Sequence, residues 1–111
     1  MAAKGTNLIQ VTDDTFDDKV LQAPVPFLLD LTGERCAPCK AIAPIIEELA
    51  HEYSGRVQFG TVDIYANPMI PTKYQVRSIP TLLMFSGGNV VGQLTGAHPK
   101  DRIIDLIDRA L

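Results

Sequence analysis

Phe27-Leu28-Leu29-Asp30-Leu31-Thr32-Gly33-Glu34-Arg35-Cys36-Ala37-Pro38-Cys39 decides the fold, because here an almost unbroken apolar run leads to a cysteine pair at the mouth of a helix. The run at 27–31 has the pattern of a strand covered on both faces and predicts a central strand. Asp30 sits inside it, so its carboxyl is expected to be buried, and an unpaired buried acid resists ionising. Cys36 and Cys39 are the two cysteines of the chain. If Cys36 is the N-cap, Cys39 takes the third helical position, and residues three apart on a helix approach to about 5–6 Å. A disulfide closes across about 4.4–6.8 Å between Cα atoms, so the pair is expected to bridge. The Cys36 sulfur then meets the unpaired N–H groups and positive dipole end of the helix, which favour a thiolate. Pro38 suits the first helical turn, where its missing N–H has no partner to lose.

Downstream of the pair, Ile42, Ile45, Ile46, Leu49 and Tyr53 repeat at helical spacing, with Lys40, Glu47, Glu48, His51 and Glu52 on the other face. Pro44 cannot donate to the Lys40 carbonyl and predicts a kink; Gly55 ends the helix. Upstream, residues 7–11 read as a first strand. Thr12 then caps a helix that turns Phe16, Val20 and Leu21 inward until Pro24 and Pro26 break it. The acidic run Asp13, Asp14, Asp17 and Asp18 reads as the solvated face of that helix.

Residues 56–63 alternate as a third strand, with Val57, Phe59, Thr61 and Asp63 on one face. A short helix after Asn67-Pro68 runs to about Tyr74, interrupted near Pro71. Residues 81–85 and 89–95 flank Ser86-Gly87-Gly88, a hairpin signal, and Pro99 starts a last helix that turns Ile103, Ile104, Ile107 and Leu111 inward. The order β-α-β-α-β-α-β-β-α predicts one α/β domain over residues 1–111, with helices on both faces of a mixed sheet.

Composition narrows the function classes. The chain has 111 residues, 46% hydrophobic and 21% charged, with a net charge of −3. No basic cluster supplies the counterion release on which nucleic-acid binding depends, so nucleic acid is not an expected partner. No run reaches the roughly 18 apolar residues of a membrane span, and residues 1–7 lack the apolar core of a signal peptide. The expectation is a cytoplasmic monomer that does not engage a membrane.

Beyond the cysteine pair, several residues carry a resemblance. They are Asp30 six positions before Cys36, Cys36-Ala37-Pro38-Cys39-Lys40, Pro44, the stretch 63–68, Tyr74, Arg77-Ser78-Ile79-Pro80-Thr81, Phe85 with Gly88, and Gly96-Ala97. Over nearly its whole length the chain resembles the thioredoxin family. That resemblance implies a thioredoxin fold, a mixed five-stranded sheet flanked by four helices, with a cis Ile79-Pro80 bond facing the cysteines. It implies reduction of protein disulfides through a Cys36/Cys39 dithiol–disulfide cycle. In that pattern Cys36 attacks, Cys39 resolves, and Asp30 moves the Cys39 proton. Arg35, Ala37, Pro38, Ile79, Pro80 and Gly96 would contact substrate. The implied partners are protein disulfides and a thioredoxin reductase, with no cofactor beyond the redox-active disulfide. The chain departs from the family at Arg35 and Thr32, where Trp is usual, at Ala37, where Gly is usual, and at Thr61, where a Lys is often found. These departures predict intact chemistry and poor coupling to a standard thioredoxin reductase.

Other readings of the pair are weaker. A structural zinc site needs four ligands, and His51 lies twelve residues past Cys39, about 18 Å along the same helix. A purely structural disulfide across so short a loop restricts the unfolded chain little. A non-enzymatic binding module of the same fold is the remaining alternative. It has no need of a buried acid or of a dithiol on a helix end.

Overall fold

The computed structural model describes residues 8–111. The elements are β1 (Leu8–Gln10), a π-helical turn (Asp17–Leu21), β2 (Phe27–Thr32), α1 (Ala37–Glu52), β3 (Gln58–Asp63), α2 (Met69–Lys73), β4 (Thr81–Ser86), β5 (Asn89–Thr95) and α3 (Lys100–Asp108). The five strands form one sheet in the order β1-β3-β2-β4-β5. β3 runs parallel to both β1 and β2, and β4 runs antiparallel to β2 and β5. The mixed sheet and four helical segments are those the sequence predicts. Asn7, where the expected first strand begins, lies outside the described residues.

β2 is the centre of the molecule because its side chains alternate between two cores. Leu28 packs with Ile42, Ile46 and Leu49 of α1, Phe59 of β3, and Ile103 and Ile107 of α3. Phe27, Leu29 and Leu31 pack on the other face with Phe16, Val62, Ile70 and Phe85. A strand buried on both faces is apolar at almost every position, and this explains the run at 27–31, Asp30 excepted. The hairpin between β4 and β5 turns on Gly87 and Gly88, whose φ values of 59° and 84° suit the left-handed two-residue turn that matches strand twist.

Three expectations are corrected. The segment after Thr12 is no α-helix from that cap. Thr12 and Thr15 bond each other's backbone N–H through their hydroxyls, at 2.9 and 3.2 Å, and the chain then makes only a wide turn closed by Gln22 N–H to the Asp17 carbonyl. Asp13 is not part of a solvated face. Its Oδ1 accepts the N–H of Ile70 at 3.1 Å and its Oδ2 that of Met69 at 3.2 Å, so it caps the N-terminus of α2 from 56 residues away. Leu111 is 58% exposed, because α3 stops at Asp108 and the chain leaves helical phase; Leu106 is buried instead.

Candidate active site

The site forms where β2, β3 and β4 meet at one end of the sheet. Register pairs Thr32 with Asp63 and Leu31 with Thr81, so the loops leaving β2 and β3 and the loop entering β4 lie side by side. The β2 loop is Gly33-Glu34-Arg35, and it delivers Cys36 as the N-cap of α1. Cys36 has extended φ and ψ of −116° and 100°, and its sulfur accepts the Cys39 N–H at 3.2 Å. Cys36 and Cys39 are joined as a disulfide, with Cα atoms 5.2 Å apart. Ala37 and the N2 residue Pro38 are exposed on the first turn, as the helix-end reading requires.

Exposure separates the two sulfur residues little: Cys36 is 8% and Cys39 5% exposed. What distinguishes them is position. The Cys36 sulfur receives a helix-end N–H, whereas Cys39 belongs to the helix itself.

Asp30 is buried beneath this helix. It is two residues from Leu28 and pairs in register with Leu82, both members of the core that α1 covers, so its side chain shares the face of the sheet under α1. Its Oδ1 has no hydrogen-bond partner among the described residues. Desolvation by burial pushes the carboxyl up to about 7. The neighbour in register on β3 is Thr61, where a Lys would have supplied a charge.

The loop before β4 supplies the facing wall. Ile79-Pro80 is cis. Pro80 is buried and Ile79 half-buried. Gly96, at φ 92°, donates its N–H to the Pro80 carbonyl at 2.8 Å, and Thr81 Oγ1 donates to the Ser78 carbonyl at 2.7 Å. Gly96 is thus tied to Pro80 at the end of β5. Gly33 has no room for a Cβ, which would stand 3.0 Å from Ile79 Cδ1 and 2.5 Å from Tyr65 Cε2. That contact brings the β2 loop against the Ile79 loop.

Arg35 is exposed and adopts φ 58°, a left-handed conformation that costs a residue with a Cβ about 1–2 kcal/mol. Tyr65, exposed beside Gly33, lies in the stretch 63–68 but was given no role of its own from the sequence; the turn after β3 that places it is held by Asp63 Oδ1, which accepts the Tyr65 N–H at 2.8 Å. An aromatic residue two positions after a strand-end Asp is the signal that could have found it.

Among the described residues no group of three or more His, Cys, Asp and Glu side chains comes together as a metal site would require. No helix there is long and apolar enough to cross a membrane.

The thioredoxin family model matches residues 7–109. The chain is similar to thioredoxin C-2 of Corynebacterium nephridii, 44% identical over 92% of this chain and 94% of that protein. The chain belongs to the thioredoxin family. Thioredoxin 1 of Nostoc sp. is 39% identical over 92% of this chain and 95% of its own length, and the thioredoxin of Pseudomonas aeruginosa 40% identical over 92% and 94%. The chain is a thiol–disulfide oxidoreductase, a thioredoxin-type disulfide reductase whose redox-active disulfide joins Cys36 and Cys39. Membership implies protein disulfides as substrates and a reductase as partner.

Proposed function

We propose that Cys36 is the attacking sulfur, Cys39 the resolving one and Asp30 the carrier of the Cys39 proton. In the reduced protein the Cys36 thiolate attacks one sulfur of a substrate disulfide, forming a mixed disulfide and releasing a substrate thiolate. Cys39 then gives its proton to the Asp30 carboxylate and attacks the Cys36 sulfur. The internal disulfide forms, the second substrate thiolate leaves, and two electrons have passed to the substrate. The observation that carries this order is the Cys39 N–H directed at the Cys36 sulfur at the helix end, where a negative charge is stabilised. A carboxyl that titrates near 7 beneath the same helix matches a group that gives and takes a proton at neutral pH.

Arg35, Ala37, Pro38, Ile79, Pro80 and Gly96 line the approach to Cys36. Electrons travel through the two sulfurs with no bound cofactor, and the domain of residues 1–111 acts as a cytoplasmic monomer without nucleic acid or membrane. Mixed-disulfide trapping tests the order of the sulfurs: Cys39→Ser accumulates an adduct with substrate and Cys36→Ser does not. Trapping through Cys39 alone reverses the assignment.

Partner choice follows from Arg35, an exposed cation next to the nucleophile in place of a flat aromatic. A standard thioredoxin reductase should reduce the chain poorly, while the pre-reduced protein cleaves a small disulfide well. Arg35→Trp should recover part of the reductase coupling. Equal coupling of both forms would make the chain an ordinary family member at this position.

A further inference from the structure

Tyr65 has no task in the exchange or in the fold. The residue is 69% exposed and its hydroxyl has no partner among the described residues. The turn that carries it is held by Asp63 Oδ1 through the backbone N–H groups of Tyr65 and Ala66, at 2.8 and 3.4 Å. Its ring lies against Gly33. Gly33 alone leaves it room, since a Cβ there would lie 2.5 Å from Cε2 and 2.9 Å from Cδ2 of the ring. The ring therefore rests on the backbone three residues before Cys36 and beside Ile79. It also faces a hollow of about 640 Å³ that it shares with Glu34, Arg35, Asp63 and Ala66.

We propose that Tyr65 and Arg35 form a subsite for an aromatic side chain next to the reacting cysteine of a protein disulfide substrate. The proposal rests on the reading of Cys36 as the attacking sulfur. The class of side chain follows from the walls of the hollow. A substrate carboxylate would meet Arg35 but also Glu34 and Asp63; a substrate ammonium would meet those two acids but also Arg35. An aromatic ring is opposed by none of them. It gains an edge or offset contact with Tyr65 and the attraction of a guanidinium for a π face. Tyr and Arg are also the side chains most often found where protein contacts carry energy, because a ring loses little freedom on binding.

The test uses pre-reduced protein and a set of short peptides, identical except that the residue flanking their single cysteine is Phe, Ala, Glu or Lys. Each peptide is joined through its cysteine to a small thiol, and hydroxyethyl disulfide serves as the substrate without a flanking residue. Wild type should reduce the Phe peptide about 3- to 10-fold faster than the other three. Tyr65→Ala should bring the Phe peptide to the rate of the Ala peptide, and Tyr65→Phe should keep the preference. Gly33→Ala, which pushes the ring off its seat, should lose it as well. Hydroxyethyl disulfide should be cleaved by wild type and both Tyr65 variants at rates within about two-fold of one another. Equal rates across the wild-type set, a fastest Glu or Lys peptide, or an equal fall on every substrate in Tyr65→Ala would each overturn the subsite. Wild type inert toward hydroxyethyl disulfide would overturn the exchange reading beneath it.

Discussion

Asp13, in the turn after β1, and Asp30, inside β2, bring the same side chain into opposite situations. Asp13 has both oxygens occupied by the N–H groups of Met69 and Ile70, while its own N–H donates to Asn67 Oδ1 at 2.9 Å. Asp30 is buried with Oδ1 unpartnered and its carboxyl raised to about 7. A carboxylate whose oxygens accept backbone N–H groups ties two segments together. One deprived of partners is a destabilising presence in the core that keeps its proton toward neutral pH. The region around Asp13 ties segments together, and the region around Asp30 keeps an unsatisfied acid beneath the helix of the dithiol.

Replacement of Asp30 should break this contrast most visibly. A carboxyl raised from 3.8 to about 7 keeps a proton in the folded chain that the unfolded chain has lost. Its cost is therefore absent below about pH 4, grows through the window from 4 to 7, and is complete above 7. Asp30→Ala should stabilise the protein by about 2 to 4 kcal/mol at pH 8 and by little at pH 4, in denaturant unfolding at the two values. It should also slow release of the mixed disulfide about ten-fold or more, seen as a longer-lived adduct. A gain that is the same at both pH values would remove ionisation as its cause.

Asp13→Ala should act in the other direction. Two N–H groups at the start of α2 lose their acceptor, and stability should fall by about 1 to 2 kcal/mol, again by denaturant unfolding. Reduction of a small disulfide should stay within about two-fold of wild type, because Asp13 follows the edge strand β1, which β3 separates from the strand that leads to Cys36. A large loss of activity would erase the division of labour between the two acids.

Thr61→Lys sharpens the comparison by offering Asp30 the charge it lacks. A cation in register on the next strand favours the carboxylate, so the Asp30 carboxyl should titrate about one unit lower, followed by NMR of its side-chain carbon. The acid limb of the exchange rate should move with it. No movement would mean that the Lys side chain leaves the sheet rather than facing Asp30.

The smallest effect concerns Arg35, whose left-handed φ of 58° is a second destabilising feature at the same end of the molecule. Arg35→Gly removes the clash of a Cβ and adds freedom to the unfolded chain, leaving a net gain of about 0.5 to 1 kcal/mol in thermal or denaturant unfolding. A loss instead would show that the Arg35 stem packs on the loop strongly enough to outweigh its backbone.

Much of this end of the molecule was legible in the chain itself. Asp30 between Leu29 and Leu31 announced its burial, and Cys36-Ala37-Pro38-Cys39 announced a helix end, because both depend on side chains a few residues apart. Asp13 was misread as solvated and Tyr65 was given no role. Each depends on a partner far away in sequence: Met69 and Ile70 for one, Gly33 and Ile79 for the other. The segment from Thr12 to Leu21 shows a local failure too, since a helical pattern of Phe16 and Val20 does not reveal that Thr12 and Thr15 will bond each other.

From sequence alone came the central strand, the capped helix bearing the cysteines, the glycine hairpin and the family. The first three follow from periodicity and from the short-range stereochemistry of cysteine, proline and glycine, and the family from resemblance. Tertiary structure alone decided which acid is satisfied and which is not, that Asp30 faces the core under α1 with Thr61 beside it, and that Tyr65 comes to rest near the dithiol. Such contacts are set by strand register and by the space left between packed elements, and neither is written in any short stretch of the chain.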